Sequence, residues 1–223
     1  MTPVQSNLTK IRATIPDKVT LVAVSKFHPA EAVGEAYEAG QRIFGESKVQ
    51  ELLAKYDSLP KDIQWHFIGH LQTNKVKYIA PFITMIHSAD SFRLIGEINK
   101  CAARENRVID ILLQIHIAQE QTKFGFTAEE VTELLTAHLY TEWSHIRIRG
   151  VMGMASFTED ERQIRKEFTS LRNLFLSLKE KFFHDAPYFD ELSFGMSDDY
   201  PVAIEEGSTM VRIGSSIFGV RNY

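Results

Sequence analysis

A chain of 223 residues that is 44% hydrophobic and 11% aromatic is long enough to bury a sizeable core and too apolar to remain disordered. Its 25 basic and 29 acidic residues give a formal charge of −4, and no dense Lys/Arg run marks a nucleic-acid or anionic-membrane surface. Cys101 is the single cysteine, which excludes an intrachain disulfide and the paired-cysteine zinc spacings and suits a reducing cytoplasm.

The opening stretch MTPVQSNLTKIRATIPDKV lacks the charged-then-apolar pattern of a signal peptide, and no run approaches the roughly 18 apolar residues of a membrane span, so a cytoplasmic protein without a membrane partner is expected. Val4, Leu8 and Ile11 form a stripe that predicts one helix ahead of the first strand. Eight short apolar runs come next: LVAVS (21–25), RIFG (42–45), WHFIG (65–69), ITMIH (83–87), ILLQIHI (111–117), IRIRGVMGM (146–154), ELSFG (191–195) and TMVRIG (209–214). Between them lie segments with helical spacing, such as Val49, Leu52, Leu53 and Tyr56, or Val131, Leu134, Leu135 and His138. Pro29 stands where a first helical turn tolerates it, Gly40 where a helix ends, and Thr127 with Glu130 forms a capping-box pattern. Strands that alternate with crossover helices imply an α/β fold with a parallel sheet. The count favours a single (β/α)8 TIM barrel with an extra N-terminal helix, forming one domain over residues 1–223. A doubly wound open sheet is the competing fold, disfavoured because no GxGxxG follows the first strand.

The functional face of such a barrel lies at the C-terminal ends of its strands. Val22, Val24 and Lys26 share one strand face, so the first run ends by presenting an amine at the barrel mouth. Lys26 is either an ordinary solvated lysine or, in a partly apolar pocket that disfavours its charge, a former of imines with aldehydes. Met210, Arg212 and Gly214 share a face of the eighth run, and barrel closure makes that strand the neighbour of the first. Arg212 either pairs with a carboxylate inside the barrel or meets Lys26 at a ligand. Two loops rich in glycine and serine, Ser193-Phe194-Gly195-Met196-Ser197 and Gly214-Ser215-Ser216, are candidates to hold phosphate; Ser197 is equally suited to capping a short helix that ends near Gly207. Asp198 and Asp199 are expected to turn away from a bound anion. His66 and His70 lack the helical spacing of metal ligands and are read as packing or pocket-wall residues; His116 with Gln114 is expected to line the barrel interior. No metal is expected, and Cys101 falls on an apolar stripe with Leu94, Ile95 and Ile98.

At these residues the sequence resembles the pyridoxal phosphate homeostasis protein family, single-barrel relatives of the alanine racemase N-terminal domain. The resemblance spans nearly the whole chain, through LVAVSKFHPAEAVGEAYEAGQRIFGESKVQEL, WHFIGHLQTNKVKYI and, most specifically, LSFGMSDDYPVAIEEGSTMVRIGSSIFGVRNY. It implies that pyridoxal 5′-phosphate (PLP) is the cofactor, carried by Lys26 as a Schiff base. It implies further that Ser197, Gly214 and Ser215 hold the phosphate and that Arg212 faces the pyridine nitrogen; Met196 and His70 are also expected to be cofactor-binding residues. Lys123 matches a further lysine connected with cofactor handling. Ser47-Lys48 stands where the family commonly has Asn-Tyr, Phe194 where it has Met, and Ser215-Ser216 where Thr-Ala is frequent.

An arginine opposite the pyridine nitrogen keeps that nitrogen unprotonated and weakens the ring as an electron sink. The chain also stops at Tyr223, without the C-terminal β domain from which racemases of this fold recruit a second proton donor. The expectation is therefore a monomeric carrier that takes part in intracellular PLP homeostasis, passes cofactor transiently to apo-enzymes and has little or no catalysis. A PLP-dependent amino-acid racemase or lyase, and a cofactor-free Schiff-base aldolase, are the alternatives.

Overall fold

The structure is a computed structural model and describes residues 1–119, 124–137 and 139–220. Its strands are β1 (Thr20–Val24), β2 (Ile43–Glu46), β3 (Gln64–Phe67), β4 (Met85–Ala89), β5 (Ile109–Gln114), β6 (Ile146–Met152), β7 (Glu191–Ser193) and β8 (Met210–Ile213). They pair in parallel and in sequence order, and β8 returns to β1 to close the barrel. The α-helices are α1 (Pro3–Arg12), α2 (Ala30–Glu38), α3 (Val49–Ser58), α4 (Val76–Ile79), α5 (Phe92–Arg104), α6 (Ala128–Thr136), α7 (Glu161–Phe182), α8 (Tyr200–Glu205) and α9 (Ser215–Phe218). Each expected apolar run thus became a strand, and the extra N-terminal helix precedes them.

Local chemistry explains the helix ends. Thr2 and Thr127 each form a capping box, with Gln5 and Glu130, and Ser91 caps α5 by accepting from Leu94 N–H. Such caps satisfy amides that the helix leaves unpaired, at about 1 kcal/mol each. Pro29 is itself the N-cap of α2 rather than a residue of its first turn.

Strand alternation sorts side chains into two environments. Phe44, Trp65, Phe67, Ile86, Ile111, Leu113, Val151 and Val211 face outward and pack under the helices in the main core. Cys101 lies in that core with Leu94, Ile95 and Ile98, as expected. Inside the barrel Val22, Met85, Leu112, Met152 and Met210 form a smaller apolar cluster. At the N-terminal ends of the strands Asp110 accepts from Arg147 at 2.7 and 3.0 Å and from Arg149 at 3.0 Å, while Arg149 also reaches Asp190. That ion network is remote from the C-terminal mouth, on the face where stability rather than chemistry resides in barrels.

Candidate functional site

β1 leaves the barrel through Ser25, Lys26 and Phe27. Val22 lies in the interior cluster, so alternation directs Val24 and Lys26 to the same inner side, and Lys26 is half-buried at the mouth. β8 runs beside it in the register Thr20↔Met210 and Val22↔Arg212. Two residues further on, a Cβ built on Gly214 would stand 3.0 Å from the Val24 carbonyl oxygen and 3.3 Å from its Cβ. The backbone after β8 therefore lies against the last turn of β1, an approach that a side chain at position 214 would hinder.

Arg212 is 4% exposed and held as a fixed fork. Nη1 donates to the Ser193 carbonyl at 3.0 Å and to Ser193 Oγ at 2.6 Å, and Nη2 donates to the Gly153 carbonyl at 3.0 Å. It makes no ion pair among the described residues; Asp199 acts on it only through its field. Burial lowers the guanidinium pKa to about 10, which still leaves it charged at neutral pH. Guanidinium has five N–H donors, so two of them are left without an acceptor among the described residues.

A buried chain runs on from this arginine across the barrel. Ser193 Oγ lies 3.4 Å from His87 Nδ1, and His87 Nε2 lies 2.9 Å from His66 Nδ1. Burial pushes the His66 pKa down to about 3 and that of His87 well below its usual value, so both rings are neutral. Neutral rings carry one N–H each, so in each ring one nitrogen donates and the other accepts. Arg212 only donates, so Ser193 Oγ accepts from it and is the atom that links the guanidinium to the histidine pair.

The loops after β7 and β8 meet through Ser197, whose Oγ accepts from Gly214 N–H at 3.2 Å. Ser197 is not the helix cap: α8 begins after Asp199 and has no side-chain cap. Asp199 instead turns its carboxylate onto its own loop and accepts from Met196 N–H at 2.5 Å, whereas Asp198 is exposed. Two further contacts brace the β8 loop. Asn7 of α1 donates to the Ile217 carbonyl at 3.2 Å, and His28, just past Lys26, stacks on Phe218 with centroids 5.3 Å apart.

The structure thus joins Ser197 to Gly214 by a hydrogen bond, sets Arg212 on the strand beside Lys26, and leaves Ser215 exposed in the same loop. Met196 is 39% exposed and contributes chiefly its backbone to the turn. His70 sits on the rim beyond β3, with Nδ1 3.0 Å from Asp90 Oδ2 and its ring stacked on Phe124 at 4.1 Å. It borders a cavity of about 210 Å³ with Ser47, Lys48, Phe67, Gln72 and Lys75. β5 ends at Gln114, whose amide donates to the Phe124 carbonyl, and His116 lies beyond it, bonded to the Ala118 carbonyl. Lys123 and His138 lie outside the described residues. Sequence reasoning missed His87 and the buried pair Glu46–Lys55 and placed Ser193 in the phosphate loop, whereas it ends β7, buried against Arg212; alternation from Met85 and from Met152 across β6–β7 would have turned His87 and Ser193 inward.

Residues 2–222 match the family model described as alanine racemase, N-terminal domain. The pyridoxal phosphate homeostasis protein of Aquifex aeolicus (strain VF5) is 41% identical over 204 residues, covering 91% of this chain and 87% of its own length. That of Escherichia coli (strain K12) is 37% identical over 240 residues, covering 100% and 99%. The chain belongs to the pyridoxal phosphate homeostasis protein family. A solved structure of this family's fold, PipY of Synechococcus elongatus PCC7942 with PLP bound, is 34% identical and superposes with a TM-score of 0.85 over 97% of this chain and 100% of that one. Its PLP-free form superposes at 0.89. Alanine racemase from Streptomyces lavendulae, 19% identical, gives a TM-score of 0.79 over 98% of this chain and 57% of that one, a likeness of fold.

Proposed function

We propose that the chain is a PLP-binding protein that holds the cofactor as a Schiff base on Lys26 and contributes to intracellular PLP homeostasis with little or no catalysis. The observation that carries this reading is the β1–β8 junction, where the turn bearing Lys26 adjoins Arg212 and the hydrogen-bonded Ser197–Gly214 pair. The donor set fits the group. Arg212 has N–H donors to spare for the pyridine nitrogen, and the Gly195–Ser197 and Gly214–Ser216 loops offer amides and hydroxyls to phosphate oxygens. Met196 and His70 belong to the walls of the same mouth. Membership of the family, and the PLP bound to a 34%-identical relative, support the same reading.

PLP supplies an aldehyde for imine formation and a ring that withdraws electrons; the protein decides how far the ring does so. A guanidinium that stays charged and can only donate leaves the pyridine nitrogen as an acceptor without its own proton. This weakens carbanion chemistry and favours holding over turnover. We propose further that the protein acts as a cytoplasmic monomer with one domain over residues 1–223 and passes PLP transiently to apo-enzymes.

Purified protein incubated with PLP should be yellow, lose its visible band on borohydride reduction, and yield a phosphopyridoxyl peptide containing Lys26. It should restore activity to an apo-enzyme without exchanging the α-proton of amino acids in heavy water. Rapid exchange of that proton would make the racemase reading the correct one. Retention of covalent cofactor by Lys26→Ala would overturn the assignment of the lysine.

A further inference from the structure

The residues flanking Lys26 are gripped from behind. The Ser25 carbonyl accepts from Lys55 Nζ at 2.8 Å, the Ser25 hydroxyl donates to Glu46 Oε1 at 2.6 Å, and Phe27 N–H donates to Glu51 Oε1 at 2.6 Å. Lys55 Nζ joins these anchors, 2.6 Å from Glu46 Oε1 and 2.9 Å from Glu51 Oε1, so all three ammonium protons are engaged. Ala23 and Phe44, which share strand faces with Ser25 and Glu46, lie in the outer core, so the cluster sits beneath α3 on the side of β1 opposite the mouth.

We infer that Glu46, Glu51 and Lys55 form a positioning device that locks the turn after β1 so that Lys26 is presented to its aldehyde ligand. The inference rests on the reading of Lys26 given above. Two features set the cluster apart from ordinary packing. Phe27 has φ +66°, a left-handed conformation that a bulky residue avoids and adopts only where its surroundings hold it. Glu51 is the group that accepts the Phe27 amide in that conformation. Glu46, in turn, is wholly buried, its pKa is raised by burial, and its Oε2 has no hydrogen-bond partner. A buried ionic group with an unsatisfied oxygen is a poor way to stabilise a fold, because apolar residues of similar volume do as well or better. What the cluster provides instead is direction: one anchor on each side of Lys26 fixes the backbone from which the amine projects. Glu46, Glu51 and Lys55 act through the backbone, and none of them reaches into the mouth in this arrangement.

The test compares Glu51→Ala, Glu51→Gln and the double variant Phe27→Gly/Glu51→Ala with the wild type. Glu51 is partly exposed, so its loss leaves the core filled. Three readouts are taken: melting temperature, exchange of the Phe27 amide, and the fraction of bound PLP that borohydride fixes on Lys26. Glu51→Ala should stay folded, exchange the Phe27 amide faster, and fix roughly tenfold less PLP on Lys26, as expected when a strained φ is no longer held. Glu51→Gln, which keeps an acceptor, should fall between. Phe27→Gly in the Glu51→Ala background should recover fixation, since glycine adopts that φ without strain. Wild-type fixation in folded Glu51→Ala overturns the inference, as does a loss that tracks melting temperature and is not recovered by glycine. Wild-type protein that fixes PLP at a different lysine overturns the Lys26 reading itself, and the Phe27 exchange rates then report on the turn alone.

Discussion

Arg212→Met separates the arginine's part in ligand binding from its part in stability. The guanidinium is buried and its pKa falls to about 10, a shift that corresponds to a cost on the order of 3 kcal/mol for keeping the charge inside the barrel at neutral pH. The sign is that of a base whose folded-state pKa is depressed: removing the charge returns that energy to the folded state. Against it stand three acceptor contacts, to Ser193 O, Ser193 Oγ and the Gly153 carbonyl, each worth about 1–3 kcal/mol once lost. Methionine fills the space with flexible apolar atoms. At the lower end of that range, about 1 kcal/mol per contact, the two sides nearly offset, so the net change should lie within about 2 kcal/mol, or less than about 8 °C in melting temperature for a chain of this size. The cofactor responds differently. Losing a charged hydrogen bond to the pyridine nitrogen, worth about 1.5–3 kcal/mol, should weaken PLP binding roughly 10- to 150-fold. Scanning calorimetry and spectrophotometric titration with PLP read the two effects separately. A variant that no longer folds, or one that folds and binds PLP as the wild type does, would refute the reasoning.

Ser197→Ala should release the Gly214 amide and weaken PLP binding by about tenfold, with less than about 1 kcal/mol lost from the fold, since one partly exposed hydrogen bond is removed; equilibrium dialysis with PLP and urea denaturation check the two numbers. Gly150→Ala should fail to give folded protein, because its Cβ would stand 1.8 Å from the Glu191 carbonyl oxygen where β6 pairs with β7; circular dichroism of the expressed variant decides. His66 and His87 are held neutral, with His66 at about 3, so the unfolded chain binds more protons than the native one at every pH between there and the ordinary histidine value. Their contribution is complete above about pH 6.5 and falls by up to ~1.4 kcal/mol per pH unit per histidine as the solution is acidified. Urea midpoints at pH 7, 6 and 5 should show this slope, and His87→Gln should lessen it; an unchanged slope would contradict the burial argument.

The fold was legible because strands buried on both faces read as apolar runs, and each of the eight runs overlaps a strand. Alternation also gave the inner face of Lys26 and of Met210, Arg212 and Gly214. Ends were less legible: ILLQIHI is apolar to residue 117, yet the ladder stops at Gln114 because the chain turns there to bond Phe126. The histidine chain was hidden for another reason. His66 and His87 touch only because β3 and β4 pair with His66 opposite Met85, a register that neither run states by itself. Lys55 was hidden by its type. It stands on the buried stripe of α3 with Val49 and Leu52, where a pattern reading expects Leu53 and Tyr56, and only its partners Glu46 and Glu51 make that burial tolerable.

The neutrality of the two histidines bears directly on the chemistry proposed at the mouth. A protonated His87 would place a second buried cation within one serine of Arg212, whose charge already lowers the His87 pKa, and burial disfavours both charges. Kept neutral, the rings extend a line of hydrogen bonds from Ser193 without adding charge, and Arg212, protonated at neutral pH, has no lone pair with which to accept a proton. A group that donates, stays charged and cannot take a proton can hold a pyridine nitrogen but cannot protonate it readily. Neutral histidines behind the arginine therefore leave Arg212 as the charged group of this buried line, which favours the proposed holding of the pyridine nitrogen without its protonation.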